Sequence, residues 1–133
     1  LGEVSEVIYP PKYTPVPNTQ SWGMGLANIR GRLLSVADVA HYISGHRSQY
    51  SPTQKVLCIS HHDHYVGLVV DQVLGIQHFN KKSFFSKHND LDSNLQEYCQ
   101  GYFHQHNQQS HVFLFSRLLQ NPKYMNASIK LIN

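Results

Sequence analysis

The chain has little that would suit a secreted or membrane protein. Its two cysteines, Cys58 and Cys99, are fewer than the disulfide framework of a small secreted domain usually contains. No apolar run approaches the roughly 20 residues that span a bilayer, and no basic-then-apolar signal peptide is visible. We therefore expect reduced thiols, a cytoplasmic location and no direct membrane insertion.

Charge is also scarce, at 14% of the 133 residues against 41% hydrophobic residues. A chain with this balance folds around a core rather than staying disordered, and its length suits one compact domain. The net charge of +3 is spread along the sequence, and no basic run exceeds Lys81 and Lys82. Scattered basic residues are a weak signal for nucleic-acid binding.

Catalytic motifs are missing as well. The sequence contains no P-loop, no dinucleotide-binding glycine pattern and no nucleophile elbow. Cys58 lies in the apolar run V-L-C-I, where a buried thiol is usually inert. The segment H-H-D-H at 61–64 has metal-ligand side chains, but four consecutive turn residues rarely converge on one tetrahedral site. We predict no enzyme, no cofactor and no native metal.

What the chain does have is a series of short apolar runs between turn signals, which indicates an all-β barrel or sandwich. The segment 24–39 is broken at Arg30 and Gly31, and Gly31 can adopt the positive φ that a tight hairpin turn needs. Strands are expected near 24–29, 32–37, 56–59, 66–74, 98–106 and 111–115, with turns at 60–65 and 107–109. Short helices are expected over 37–44, ending at Gly45, and over 116–125.

The first twenty residues leave alternatives open. Four of the six prolines fall between Pro10 and Pro17, so this stretch reads as an extended surface loop. Ahead of it, Val4, Val7 and Ile8 fit either a half-buried strand or a single helical turn. The periodicity does not decide between the two.

Arg30 and Asp71 are unusual because each lies in or beside an apolar run. A charge in such a place needs a partner or solvent, since burying it unpaired is costly. From the residues alone, turn solubility for Arg30 and backbone capping for Asp71 are the simpler interpretations.

Three motifs, in order, resemble the CheW family. They are P-P-K-Y-T-P-V-P-N-T at 10–19, W-G-M-G-L-A-N-I-R-G-R-L-L-S-V-A-D-V at 22–39 and V-G-L-V-V-D-Q-V-L-G at 66–75. The family places an N-[LI]-R-G-x-[LIV]-[LIV]-P-V-x-D-L stretch before a V-G-[LIV]-x-V-D-x-V stretch, and Ser35 replaces its usual proline. The segments 75–79, 98–103 and 121–128 resemble the PilI branch, which serves type IV pilus signalling.

The resemblance implies an all-β fold of two intertwined SH3-like five-stranded barrels around a shared core, with short helices. It implies one domain over 1–133, in which subdomain 1 covers roughly 14–79 and subdomain 2 is completed by 1–10 and 80–133. The family begins with a strand ahead of the segment 1–8. We therefore expect the first strand to be missing and one barrel edge to be open.

The resemblance also implies a non-enzymatic adaptor of signal transduction. Such an adaptor joins a CheA-like histidine kinase, ChpA-like in the pilus branch, to a PilJ-like methyl-accepting chemoreceptor. It would be cytoplasmic, recruited to membrane-anchored receptor arrays, and would control twitching motility. Receptor conformation would bias kinase activity through the geometry of the array.

Matching to the family motifs gives eight expected partner contacts. Four form the N-x-R-G turn, and four belong to the strand associated with the receptor groove. They are Asn28, Ile29, Arg30, Gly31, Gly67, Val69, Val70 and Asp71.

Two other classes of function compete with the adaptor. A nucleic-acid-binding small barrel would use K-K-S-F-F-S-K at 81–87 and would bind with a steep salt dependence. The scattered lysines disfavour it, and we expect these phenylalanines to tuck under the barrel. A cysteine- or metal-dependent enzyme would need a thiolate or a stoichiometric metal, which the apolar setting of Cys58 disfavours.

Overall fold

The computed structural model describes residues 4–17, 20–75, 78–86 and 93–121. The chain divides into two compact units, the first formed by 1–73 with 119–133 and the second by 74–118. The strands are β1 (Glu6–Ile8), β2 (Gly23–Ile29), β3 (Arg32–Asp38), β4 (Lys55–His61), β5 (His64–Val70), β6 (Phe84–Phe85), β7 (Cys99–Gln105) and β8 (Gln108–Phe113). The helices are α1 (Val39–Ser44), α2 (Ser93–Gln96) and α3 (Phe115–Gln120).

In the first unit, one five-stranded sheet has the order β1-β4-β5-β3-β2. Its neighbours are antiparallel except β3 and β5, which run parallel. The second unit has a three-stranded antiparallel sheet in the order β6-β7-β8. The predicted all-β class, with two sheets and a few short helices, is confirmed.

The β2–β3 hairpin forms where the sequence predicts it. Arg30 and Gly31 both have positive φ, 50° and 84°, as the two central residues of a type I′ turn require. The Asn28 side-chain oxygen accepts a hydrogen bond from the Gly31 N–H at 2.9 Å. The turn is therefore braced from within its own motif.

Helix α1 begins at a buried carboxylate. Asp38, only 5% exposed, accepts from the His41 N–H at 3.1 Å and from the Ser48 hydroxyl at 2.7 Å and N–H at 2.8 Å. These bonds offset the cost of burying a charge. The helix ends at Gly45, whose φ of 81° is the left-handed C-cap that the sequence predicts.

The N-terminal segment binds both edges of the first sheet. Residues 6–8 form β1 on β4, so the strand interpretation of this region is correct. Further on, Thr14 exchanges two backbone hydrogen bonds with Leu26 of β2, at 2.8 and 3.0 Å. Gly25 permits this approach, because a Cβ there would lie 2.3 Å from the Thr14 carbonyl oxygen.

One expectation about the N-terminal segment is wrong: residues 1–10 were assigned to subdomain 2, yet β1 pairs within the first unit. At the expected open edge, Thr14 forms a single bridge to Leu26 of β2, and the missing first strand stays a prediction. The rest of the subdomain division stays a prediction.

The barrel interior is apolar and tightly filled. Leu34, Val56 and Cys58 are fully buried, and Ile8 from β1 packs against them. Gly67 in β5 leaves room for two of these side chains, because a Cβ there would lie 2.8 Å from both Leu34 and Val56. Residues 34–38 of β3 and 66–69 of β5 are all buried, so both faces of these two neighbouring strands are covered.

Turn positions differ from the sequence-based expectation. The β4–β5 turn is only His62 and Asp63, and the β7–β8 turn is His106 and Asn107. His62, His106 and Asn107 adopt positive φ without glycine, so no glycine signal marked either turn. β5 ends at Val70 rather than 74. α3 spans Phe115–Gln120, Asn121 lies beyond its end, and 122–125 of the expected helix lie outside the described residues.

Candidate functional site

The β2–β3 turn presents an arginine that is joined to the other edge of the sheet. Arg30 is 70% exposed, and its guanidinium donates to the Glu6 carboxylate on β1. The hydrogen bond from Arg30 lowers the pKa of Glu6, and the same contact raises the pKa of Arg30. β1 and β2 are the two edge strands of the sheet. The ion pair therefore joins β1 to the turn that follows β2, in addition to the Thr14–Leu26 bridge.

A second arginine lies at the same end of the barrel. The Arg32 guanidinium stacks over the Tyr65 ring, 4.0 Å from its centroid. Arg32 shares the inward face of β3 with Leu34, and Glu6 shares that of β1 with Ile8, because strand residues alternate. We call Glu6, Arg30, Arg32 and Tyr65 the polar mouth of the first barrel.

The floor of the polar mouth is the Cys58 thiol. Burial raises the pKa of Cys58, and its hydrogen bond with Tyr65 only partly opposes this. Burial also raises the pKa of Tyr65. Both groups are held in their neutral forms near pH 7, so Cys58 has the character of a core residue and not of a nucleophile. Burial likewise raises the pKa of Cys99.

Beside the polar mouth, Leu33 is 63% exposed. It lines a cleft of about 340 Å³ together with Arg32, His64 and Tyr65. An exposed aliphatic side chain next to arginine and tyrosine has the composition that protein–protein interfaces favour. The surface is therefore suited to a protein partner.

The parallel register separates the two predicted groups of contact residues. Ser35 lies opposite Val66, and Asp38 lies opposite Val69. The Arg30 turn, which precedes β3, is therefore level with the β4–β5 turn, which precedes β5. Asp71 follows the far end of β5, on the order of 30 Å away along an uncurved strand. The eight residues do not form one site.

Within the β5 group, burial corrects two expected contacts. Gly67 is buried against Leu34 and Val56, and Val69 is 6% exposed within the core cluster. Neither residue is accessible to a partner, so both contribute to packing within the sheet. Val70 is half-buried and Asp71 is exposed, and the Asp71 carbonyl accepts from the Thr53 hydroxyl at 2.8 Å.

The four residues of the N-x-R-G group have different roles in the structure. Ile29 packs against the core, and Asn28 caps the turn. Gly31 is exposed and supplies the turn conformation. Arg30 is the member of this group that presents a charged side chain to the surface.

Sequence reasoning missed Glu6, Arg32, Leu33 and Tyr65. A signal for Glu6 exists: it alternates with Ile8, so an inward-facing strand places an acid at the barrel end, where it needs a cation. The signal becomes useful only once β1 is known to be a strand. Tyr65 was assigned to a polar turn, although β5 begins at His64.

The histidine-rich turn shows contacts but no converging ligand set. The rings of His61 and His62 meet edge to face at 4.3 Å, and His61 lies opposite His64 in the register. Over residues 4–17, 20–75, 78–86 and 93–121, no three histidine, cysteine or acidic side chains come together as metal ligands would. No helix in those ranges has the length and apolarity needed to cross a membrane.

Comparison with known proteins identifies the family. The family model described as a CheW-like domain matches residues 1–122. The chain therefore belongs to the CheW family.

Two curated relatives extend this assignment. The chain is 35% identical to the protein PilI of Pseudomonas aeruginosa over 129 residues, which cover 97% of this chain and 72% of PilI. It is 31% identical to the protein FrzA of Myxococcus xanthus over 74 residues, covering 56% of this chain and 46% of FrzA. The expected likeness to the PilI branch is confirmed.

A solved structure supports the fold. The scaffolding protein TtCheW from Thermoanaerobacter tengcongensis superposes with a TM-score of 0.76, over 91% of this chain and 78% of that one. Sequence identity is only 17%, so this likeness establishes the architecture. It fits the SH3-like barrel fold that the sequence motifs imply.

Proposed function

We propose that the chain is a non-enzymatic adaptor that couples a chemoreceptor to a CheA-like histidine kinase. The observation that carries this proposal is the polar mouth, where a braced type I′ turn presents Arg30 and where the exposed Leu33 lines a cleft with Arg32 and Tyr65. A rigid turn loses little conformational entropy on binding, which favours a defined contact with a partner. Membership of the CheW family supports the same role.

The chemistry of the site supports binding rather than catalysis. The one thiol near the polar mouth, Cys58, is fully buried, and burial raises its pKa. Arg30 and Arg32 are engaged by Glu6 and Tyr65, which fixes their positions as interface anchors. Adaptor function requires such fixed surfaces and no reacting group.

The particular system that we propose is type IV pilus signalling. The partners would be a ChpA-like kinase, through its CheW-like regulatory domain, and the cytoplasmic tip of a PilJ-like receptor. Sequence identity of 35% to PilI, over 97% of this chain, supports this choice over other chemosensory systems. The adaptor would be cytoplasmic and recruited to membrane-anchored receptor arrays.

A reconstitution tests the proposal. Purified kinase regulatory domain and receptor tip are mixed with and without the chain, and complexes are separated by size. We expect the kinase domain and the receptor tip to elute in one complex only when the chain is present. If neither partner binds while a single-stranded oligonucleotide binds with a steep salt dependence, the adaptor proposal fails and the small nucleic-acid-binding barrel takes its place.

A further inference from the structure

The second unit contains a cleft of about 550 Å³ that the proposed contact at the polar mouth does not involve. It is bounded by the 3₁₀ turn at Lys81–Ser83, the short strand β6 and the tip of the β7–β8 hairpin. We call it the second-sheet cleft. The residues of its walls that matter here are Asn80, Lys82, Phe85, His104, Gln105 and His106.

Bonds within the unit hold the walls of the second-sheet cleft in place. The Asn80 N–H donates to the Gln105 side-chain oxygen at 3.3 Å, which joins the 3₁₀ turn to the hairpin tip. On the opposite wall, Phe85 stacks on Tyr102 with ring centroids 5.4 Å apart. A ligand would therefore enter a preformed cleft, which lowers the entropic cost of binding.

The hydrogen-bonding capacity left in the second-sheet cleft is mainly that of donors. The Asn80 side-chain oxygen already accepts from the Lys82 N–H at 3.0 Å, and the Gln105 side-chain oxygen accepts from Asn80. Their amide nitrogens, together with the Lys82 ammonium group, are donors only. None of the residues that line the cleft is acidic. The complementary ligand is an anion rich in acceptors.

The second-sheet cleft also has an apolar wall. Phe85 is 48% exposed although one face of its ring lies on Tyr102. At the hairpin tip, His106 has a φ of 53°, a conformation that glycine adopts without strain and asparagine readily. The turn places the His106 side chain at the wall of the second-sheet cleft.

We propose that the second-sheet cleft binds an acidic segment of a partner protein. Its carboxylates would lie at Lys82 and His106, and a phenylalanine or leucine side chain would pack on Phe85. A peptide fits better than a nucleic acid, because nucleic-acid affinity depends on many phosphate contacts and this cleft contains one lysine. The proposal is independent of what Arg30 contacts.

The experiment titrates ¹⁵N-labelled full chain with the acetylated peptide Glu-Glu-Phe-Glu-Glu-Leu-Glu-Glu. We expect saturable shifts at the backbone amides of Lys82, His104 and His106. Lys82→Glu should weaken binding at least about tenfold through like-charge repulsion. The matched reversal Lys12→Glu, at an exposed position in the first unit, should change affinity less than about twofold because it lies outside the contact.

A second variant separates binding from folding. His106→Gly should weaken the peptide about threefold or more by removing the imidazole donor to a carboxylate, with little change in Tm, since glycine adopts the positive φ of this position without strain. The proposal is overturned if shifts fall elsewhere, if both lysine reversals act equally, or if His106→Gly binds like wild type. It is also overturned if an oligothymidylate binds as tightly as the peptide.

Discussion

Arg30 satisfies two requirements at once, because its backbone has a φ of 50° and its guanidinium is paired with Glu6. The pair is largely solvent-exposed, so its own contribution to stability is small. Its main consequence is geometric: it fixes the direction of Arg30 above the barrel end. This ion pair therefore fixes the position of the Arg30 side chain more than it stabilises the fold.

Gly67 illustrates the opposite case, a motif residue whose role is internal. Gly67→Ala should lower the free energy of unfolding by about 1–3 kcal/mol through overpacking, because the new Cβ would lie 2.8 Å from Leu34 and Val56. Chemical denaturation measures the loss. In the double variant with Leu34→Ala, the two effects should be non-additive, because the shorter side chain at position 34 leaves room for the new Cβ at position 67.

A Gly67→Ala protein with native stability but impaired partner binding would contradict this reading. It would restore Gly67 to the surface contacts that the motif implies. Strictly additive effects in the double variant would also count against direct overpacking.

At the scale of elements, the hairpin turns share a feature. Arg30, His62 and His106 each occupy a left-handed position at a two-residue turn in the described chain. Such positions usually favour glycine or asparagine. The hairpin tips of both units therefore present basic side chains, Arg30 and His62 in the first unit and His106 in the second.

Gly31 gives a clean test of turn conformation, since nothing lies within 4 Å of where its Cβ would be and its φ is 84°. Gly31→Val should destabilise the fold by about 1–2 kcal/mol through backbone strain alone. Gly31→Asn should cost clearly less, because asparagine adopts this region readily. Thermal unfolding of both variants checks the order; equal losses, or native melting of Gly31→Val, would exclude the type I′ turn.

At the scale of the whole molecule, stability should depend on pH through Glu6. Arg30 lowers its pKa in the folded state, so the contribution is present above the ordinary carboxyl pKa and is lost as the pH falls through the folded value. The stability difference between wild type and Arg30→Asn should therefore shrink on acidification. It should also shrink at high salt, because exposed charges are screened.

Glu6→Gln provides the control for this pH dependence. Against a Glu6→Gln background, the Arg30→Asn difference should not vary over the acidic range. Persistence of the variation there would assign it to another carboxylate.

The sequence predicted those parts of the fold that local signals mark. Gly31 and Gly45 announce a hairpin turn and a helix end, and both form as expected. The turn at His62 lies within the predicted turn 60–65 but is shorter, and the turn at His106 begins one residue before the predicted turn 107–109. Neither turn has a glycine in its left-handed position. Sequence patterns report backbone conformation well where glycine is needed and poorly where another residue accepts the strain.

Only part of the polar mouth could be predicted from the sequence, because its residues come from distant positions in the chain. Glu6 and Arg30 are 24 positions apart, and their contact joins β1 to the turn that follows β2, the other edge strand of the sheet. No local pattern encodes a contact between the two edges. The family motif identified Arg30, but it also drew in Gly67 and Val69, whose burial depends on packing against Leu34 and its neighbours.

We propose that Arg30 itself contacts a signalling partner and that Glu6 only positions it. Calorimetric titration of the kinase regulatory domain with wild type, Arg30→Asn and Glu6→Gln tests this directly. We expect Arg30→Asn to weaken binding at least about tenfold, as loss of an interface arginine does, while Glu6→Gln stays within about threefold, as for an exposed ion pair. Unchanged affinity of Arg30→Asn, or equal losses in both variants, would show that Arg30 is not the partner contact.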